Sequence, residues 1–586
     1  MPDFKYESDF RYDPNNPFGH MQEEFPKKSE FDVIIIGGGP NGLIAGAYLA
    51  KAGLSVAICE RRFEVGGGLA TEENLYPCYA SNPHVLYHMM VDYMPAIRDF
   101  DLDGPALTWI KPNSQTGMVF EDGTSVLLSR MANDTKDSIS KYSFEDGSSA
   151  LLTRQVQDTK DSISKFSFKD AITFGKVVRD WKRIVNDIVA PATYIPPMSP
   201  IDITMAMERT AVGRMMLEIG EQSPLEIVND TFEHEKVRTL MLYAACMWGL
   251  DPRETGLGFM VPLMLDRTMN KCYCYSGSHK FAGALAREVV KSGGLILEAA
   301  PVARILIEDG RAAGVEIGHE GRILRSKVVM STLDPHTTFL DLVGEEHLPD
   351  SLREEVGGWS WDKWSFNTLH IAAHEPPKFA ADDPWIDKAF ATVIGVESVD
   401  HLLAHWDEVV SGRIDLERFG GHTTCESLFD PTLSDRPGKY VSMFQIHAPY
   451  DLEGGWLDRR KEIEAAMLAK WRKAAPNLRP DTIIATSMED PEQIEIRFPQ
   501  MRRGSIKHGD YRPLQMGCFR PNLDCSGTDT PVEGLYACGA STYPGGLILG
   551  GPGYLGAGKV AEDLGVERWW KPTPEMERYI KDYLEE

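Results

Sequence analysis

Gly37, Gly39 and Gly42 stand in GxGxxG spacing between an apolar run beginning at Phe31 and a run of small residues, GLIAGAYLA. In that context each glycine has its own task. The first permits a tight turn, the second lets a pyrophosphate approach the backbone, and the third lets helix and strand pack closely. The N-terminus of the following helix stabilises phosphate charge. Glu60 follows Gly37 by 23 residues, at the end of the next apolar run. A carboxylate there accepts hydrogen bonds from ribose hydroxyls and disfavours a 2′-phosphate, so the implied ligand carries an unphosphorylated adenosine ribose, as in FAD or NAD.

These residues need a β-α-β unit to hold them, and the segment from Phe31 to Glu60 reads as one: apolar strand, glycine turn, helix, second strand. Elements of similar character return later. KFAGALAREVVKSGG reads as a helix followed by strands around LILEAA, ARILIED, AAGVEIG and KVVMSTL, and PVEGLYACGASTYPGGLILGGPGYLGAGKVAEDLG reads as a strand, a glycine loop and a helix. Between them, residues 172 to 270 look helical and rich in methionine and aromatics. Core packing explains most of that pattern, yet flexible, polarisable methionines also suit a pocket for an irregular apolar ligand. A second mixed block fills residues 355 to 500.

Segment 121–144 recurs at 145–168 with 17 of 24 positions identical. Two copies cannot build a solenoid, so this is a local duplication inserted into a globular domain, read as an enlarged cap or lid or as an inert surface insertion. Residues 1–30 are polar and without sustained period, an N-terminal arm.

ERRFEVGGGLAT, with Gly66, Gly67 and Gly68 directly after the ribose acid, resembles the glycine pair of the flavin amine oxidase and phytoene desaturase superfamily. GLYACGASTYPGGLILGGPGYLGAGKVA resembles the closing flavin motif of that superfamily, and GGLILEAAPVARILIEDGRAAGVEI its returning segment. STLDPHTTFLDLVG and the run His508 to Asp510 are similar to the subgroup related to phytoene desaturases and to pyridine nucleotide-disulfide oxidoreductase domain 2. The resemblance spans Phe31 to Gly565 and implies FAD as cofactor. It places Gly37, Gly39, Gly42, Glu60, Arg61, Gly66, Gly67, Gly68, Val302 (through its backbone, at adenine), Gly539, Ala540 and Gly553 around it. The chain has Gly68 where relatives often carry Arg, and Tyr543 where they often carry His. Gly551, Gly553 and Gly556 repeat GxGxxG, but about 30 residues remain after them, too few for a second ribose-binding strand, so no nicotinamide site is expected.

The fold class expected is therefore α/β: a Rossmann-like FAD-binding domain in three discontinuous segments (31–110, 271–350 and 501–566), with a mixed α+β substrate or cap domain (111–270 and 351–500) and a C-terminal helix (567–586). The chemistry expected is hydride loss from an apolar, isoprenoid or alicyclic carbon to flavin N5, giving a double bond or, by water capture of an allylic cation, an alcohol. Amine oxidation, a flavin-bound isomerase and a non-catalytic binding protein are the competing readings. His84 and His88, in SNPHVLYHMM, together with His508, Asp510 and Tyr543, are the candidates for proton transfer near the ring. Reduced flavin then needs an external acceptor: oxygen, a quinone or a carrier protein.

The formal charge of −26 argues against nucleic acid and anionic lipid as partners. Nine cysteines, odd in number and without a CxxC pair, suit a reducing compartment, and no metal site is expected. No uncharged run reaches about 18 residues, so a soluble, cytoplasmic protein is expected. The tail places Met576, Tyr579, Ile580, Tyr583 and Leu584 on one helical stripe, read as a docked helix or an oligomer contact ahead of a peripheral membrane contact.

Overall fold

A computed structural model describes residues 28–104, 107–131, 157–318, 321–434 and 438–585. The arm up to residue 27 and the middle of the tandem repeat, 132–156, lie outside the described residues.

The strand Glu30–Ile36 is an almost unbroken apolar run because it has parallel neighbours on both sides, Val33 pairing with Val328 on one and Val56 on the other. The sheet around it runs Val302–Glu308, Arg311–Ile317, Arg322–Ser331, Glu30–Ile36, Val56–Cys59, Leu295–Leu297. Arg322–Ser331 changes partner along its length. Its start pairs antiparallel with Gly314–Ile317, and its end, from Val329, pairs parallel with Leu535–Ala537. Strands from three distant stretches thus share one sheet, and the fold is α/β. Helix Pro40–Lys51 packs on it through small residues: a Cβ on Gly46 would meet Ile58 Cδ1 at 2.7 Å. The same helix also packs against helices His279–Lys291 and Gly551–Asp563.

A second sheet runs Ile483–Glu489, Trp364–Ala373, Tyr440–Pro449, Gly421–Thr424, Ala391–Ile394, Ser114–Val119, Ser125–Ser129. Its pairs are antiparallel except Ala391–Ile394 with Ser114–Val119. Helix Trp456–Ala474 covers one face with Trp456, Ile463, Met467 and Trp471, a single stripe that forms a core of its own. Residues 168–268 are helical, as their pattern predicts, and their apolar faces join the core beneath helix Pro40–Lys51.

The described part of the repeat sits at the edge of the second sheet. Ser125–Ser129, from the first copy, is the edge strand, and helical residues 157–164 of the second copy cover it. Ser162 and Thr159 hydroxyls accept from the backbone N–H groups of Leu127 and Ser129, each at 2.9 Å, which blunts an otherwise open edge. Most of the C-terminal stripe docks within the chain: Met576, Tyr579 and Tyr583 are buried, the Tyr583 hydroxyl bonds Thr210 Oγ1 at 2.9 Å, and Leu584 stays exposed. Among the described residues no helix is long and apolar enough to cross a membrane.

Candidate active site

At the C-terminal ends of strands Glu30–Ile36 and Val56–Cys59 lies a cavity of about 320 Å³, closed on the far side by Phe366, Met443 and Gln445 of the second sheet. This is where open α/β sheets bind ligands. The glycine turn has the geometry its spacing demands. Gly37 takes φ +97°, and a Cβ on Gly42 would meet Gly37 O at 2.0 Å, so helix and turn touch backbone to backbone. Among the described residues, a Cβ on Gly39 would meet no atom within 4 Å. That open side belongs to a residue lining the cavity. Glu60 is buried on the same wall and accepts 2.8 Å bonds from Gly38 N and Arg62 N. Burial pushes its carboxyl up and the two amides pull it down, with burial prevailing. Arg61, Pro301 and Val302 line this end too.

Gly67, Gly68, Ala540 and Gly546 continue the wall, together with His84 and His508. Three side-chain-bearing residues here hold left-handed backbone: His508 (φ +55°), Leu547 (φ +67°) and Ile548 (φ +57°). For β-branched Ile548 this conformation is strained, of a kind that persists only where the surroundings impose it. Five polar atoms of cavity-lining residues are buried without a hydrogen-bond partner: Arg62 Nη1, His84 Nε2, Tyr87 OH, Trp248 Nε1 and His508 Nδ1.

A second, larger cavity of about 880 Å³ adjoins the first, Met89 and Leu547 belonging to both walls. Among the described residues eight methionines line it, including Met207, Met260 and Met264 from the helical region, with Leu257, Phe259 and Tyr579.

Comparison with known proteins agrees with this arrangement. Residues 19–79 match the Thi4 family. Over 562 residues the chain is 34% identical to a component chain of limonene dehydrogenase from Castellaniella defragrans, covering 93% of this chain and 97% of that protein. The chain belongs to the phytoene desaturase-like FAD-dependent oxidoreductases. Mouse pyridine nucleotide-disulfide oxidoreductase domain-containing protein 2 is 27% identical over 582 residues, covering 92% of this chain and 94% of its own. A putrescine oxidase structure shares the fold at a TM-score of 0.54 and 13% identity, covering 92% of this chain and all of its own.

The first cavity suits the FAD of this oxidoreductase. The space beside Gly39 is what a diphosphate needs, Glu60 keeps lone pairs for ribose hydroxyls, and the orphaned donors of Arg62, Tyr87 and Trp248 lack acceptors that a flavin carries. Not every sequence candidate reaches this cavity. His88 is buried in a packed cluster, edge-on to Trp109 and Phe281, with Nε2 3.7 Å from Cys274 Sγ. Asp510 faces Asp362 beside the buried Lys507, whose Nζ bonds Asp362 Oδ1 at 2.9 Å; burial and that second carboxyl push Asp510 up to about 6. Tyr543 lines the second cavity and donates to Ala192 O at 2.7 Å. Gly66, Gly539 and Gly553 serve close approach instead: a Cβ would meet Ala282 Cβ at 2.9 Å, Thr332 O at 2.3 Å and Asn41 O at 2.3 Å respectively. Gly553 is therefore a crossing point between helices.

Several cavity residues carry no motif. Trp248, Phe366, Gln445 and Arg497 arrive through pairings between remote segments, and Glu489 stands directly behind His84. The one local signal is RFPQMRRGSIKHGD, where basic and apolar residues mix in a run that reaches His508.

Proposed function

We propose that this enzyme oxidises an apolar isoprenoid or alicyclic substrate seated in the methionine-lined cavity, removing a hydride across the Met89–Leu547 junction. The observation that carries this reading is the contact between the two cavities, one with a phosphate turn and a ribose acid, the other apolar and near the upper end of small-molecule sites. FAD, when bound, supplies the hydride acceptor. The chain's residues do the rest. The Gly37 turn, Gly67, Gly68 and Glu60 would hold the diphosphate and ribose, Val302 would meet the adenine, and Ala540 and Gly546 would line the flavin end. Methionines adapt to an irregular hydrocarbon and exclude water. His84 and His508, held neutral by burial, line the wall. Limonene dehydrogenase, whose name states an alicyclic terpene substrate, supports the same class.

The test is aerobic and anaerobic product analysis over terpenes, carotenoid precursors and cyclic amines. Oxidation of a hydrocarbon without oxygen, at the expense of an added quinone or carrier protein, is the expected result. Turnover of amines alone would replace this reading by amine oxidation.

A further inference from the structure

Removing a hydride from carbon leaves a positive charge that is discharged only when a second bond breaks. That bond is a neighbouring C–H for an alkene or an O–H of captured water for an alcohol, and either way one proton must leave a closed cavity. Behind His84 the protein gathers ionisable groups from four elements and the loop after Glu60. Glu489 ends strand Ile483–Glu489, Arg497 ends helix Pro491–Arg497, Glu72 begins strand Glu72–Tyr76, Arg62 follows the ribose acid, and His370 lies in strand Trp364–Ala373. Asp490 caps the Arg497 helix and pairs with Arg460.

The cluster is graded from cavity to solvent. Side-chain exposure is 4% at His84, 6% at Glu489, 26% at Glu72 and 28% at Arg497. His84 Nε2 lies 3.9 Å from Glu489 Oε1, and neither atom makes a hydrogen bond. Arg497 forms ion pairs with both carboxylates, with Nε 3.1 Å from Glu489 Oε1 and Nη1 2.5 Å from Glu72 Oε2, while Arg62 bonds Glu72 Oε1 at 2.5 Å. The Glu489 oxygen is held by the Arg497 ion pair, but the buried ring nitrogen beside it has no hydrogen bond, a costly arrangement for a purely structural histidine. Such contacts tighten when a site is loaded.

We propose that His84 and Glu489 form a proton relay, taking the substrate's second proton from the cavity and delivering it past Arg497 to Glu72 and solvent. This rests on the oxidoreductase reading above. The balance is complete: the hydride leaves with its electron pair to the flavin, the second C–H or O–H pair stays with the product, and the bare proton crosses the imidazole to the Glu489 carboxylate, from which it is lost to water. The electrostatics agree. Burial pushes Glu489 up to about 7 against the pull of Arg497 and Arg62, with Glu72 and Asp490 adding to the rise. His84 is pushed well below its usual range by burial, Arg497, Arg62 and His370, so the ring passes a proton without storing it. His370 is itself lowered to about 4 by burial.

The test uses FAD-loaded full-length protein as wild type, Glu489→Gln and Glu489→Asp. Anaerobic flavin reduction by the best substrate of the panel is followed against pH, and the carbonyl stretch of a protonated carboxyl is followed by infrared difference spectroscopy without substrate. Wild-type reduction should quicken as pH rises through about 7. Glu489→Gln should slow reduction at neutral pH by about 10²-fold, erase that step and remove the infrared band titrating there. Glu489→Asp should restore a step. Unchanged rate and step in Glu489→Gln, with wild-type bleaching intact, overturn the relay alone. Absence of bleaching in wild type with every compound overturns the substrate reading and the relay together.

Discussion

Gly39 is the residue on which the cofactor site turns most sharply. A Cβ added there would meet no atom of the described residues within 4 Å, so a side chain grows into the open space that the diphosphate would occupy. Gly39→Val should yield protein with wild-type circular dichroism but without the yellow flavin absorbance; full colour would remove the diphosphate from this turn. Glu60→Ala should weaken FAD binding while the fold survives, read by equilibrium dialysis. Glu489 supplies a pH signature of stability. Its carboxyl is raised from 4.5 to about 7 in the folded chain, so the fold holds that proton more tightly than the unfolded chain does. The associated stability is full below about pH 4.5, falls as pH rises through about 7, and is then gone. Glu489→Gln lacks this decline. Its stability relative to wild type, from urea unfolding, should rise by on the order of 3 kcal/mol between pH 4.5 and pH 8. The Gly37 turn and Glu60 could be read from the sequence because one local β-α-β unit carries both. Glu489, Arg497 and Trp248 could not, since strand pairing and helix packing bring them to the wall from hundreds of residues away, and no spacing encodes that.

At the scale of elements, helices Pro40–Lys51 and Gly551–Asp563 cross so closely that Gly553 touches the backbone of Asn41, which itself lines the first cavity. Gly553 is legible as part of a glycine motif, and its spacing alone suggests phosphate. Its neighbours show why it has no side chain: a Cβ would sit 2.3 Å from a carbonyl oxygen. Gly553→Val should therefore lower the thermal midpoint of the FAD-free protein as well as the loaded one, because overpacking costs typically about 1–3 kcal/mol without any ligand. A variant that loses colour at an unchanged midpoint would return Gly553 to the cofactor. The repeat teaches a related lesson. Its duplication is plain in sequence, but only the pairing of Ser125–Ser129 with hydroxyls of residues 157–164 shows the described part of one copy covering the strand of the other.

The whole molecule combines a mixed sheet, whose parallel strands offer their C-terminal ends and a helix N-terminus to a dinucleotide, with a mostly antiparallel sheet and a helical layer that wall off the reacting end. The α/β class and the flavin were legible because the superfamily's glycine segments are local. The second cavity was visible only as a surplus of methionine between 172 and 270, since the volume that helices enclose depends on how they cross. Leu263 lines that cavity and not the first, so Leu263→Trp should fill the substrate space and leave the flavin seat intact. The most direct measurement of the central claim is anaerobic titration of the FAD-loaded protein with its best apolar substrate, followed at the flavin absorbance. The wild type should bleach stoichiometrically, while Leu263→Trp should keep its full colour and bleach only at much higher substrate concentration. Bleaching of Leu263→Trp at the wild-type concentration would contradict the account.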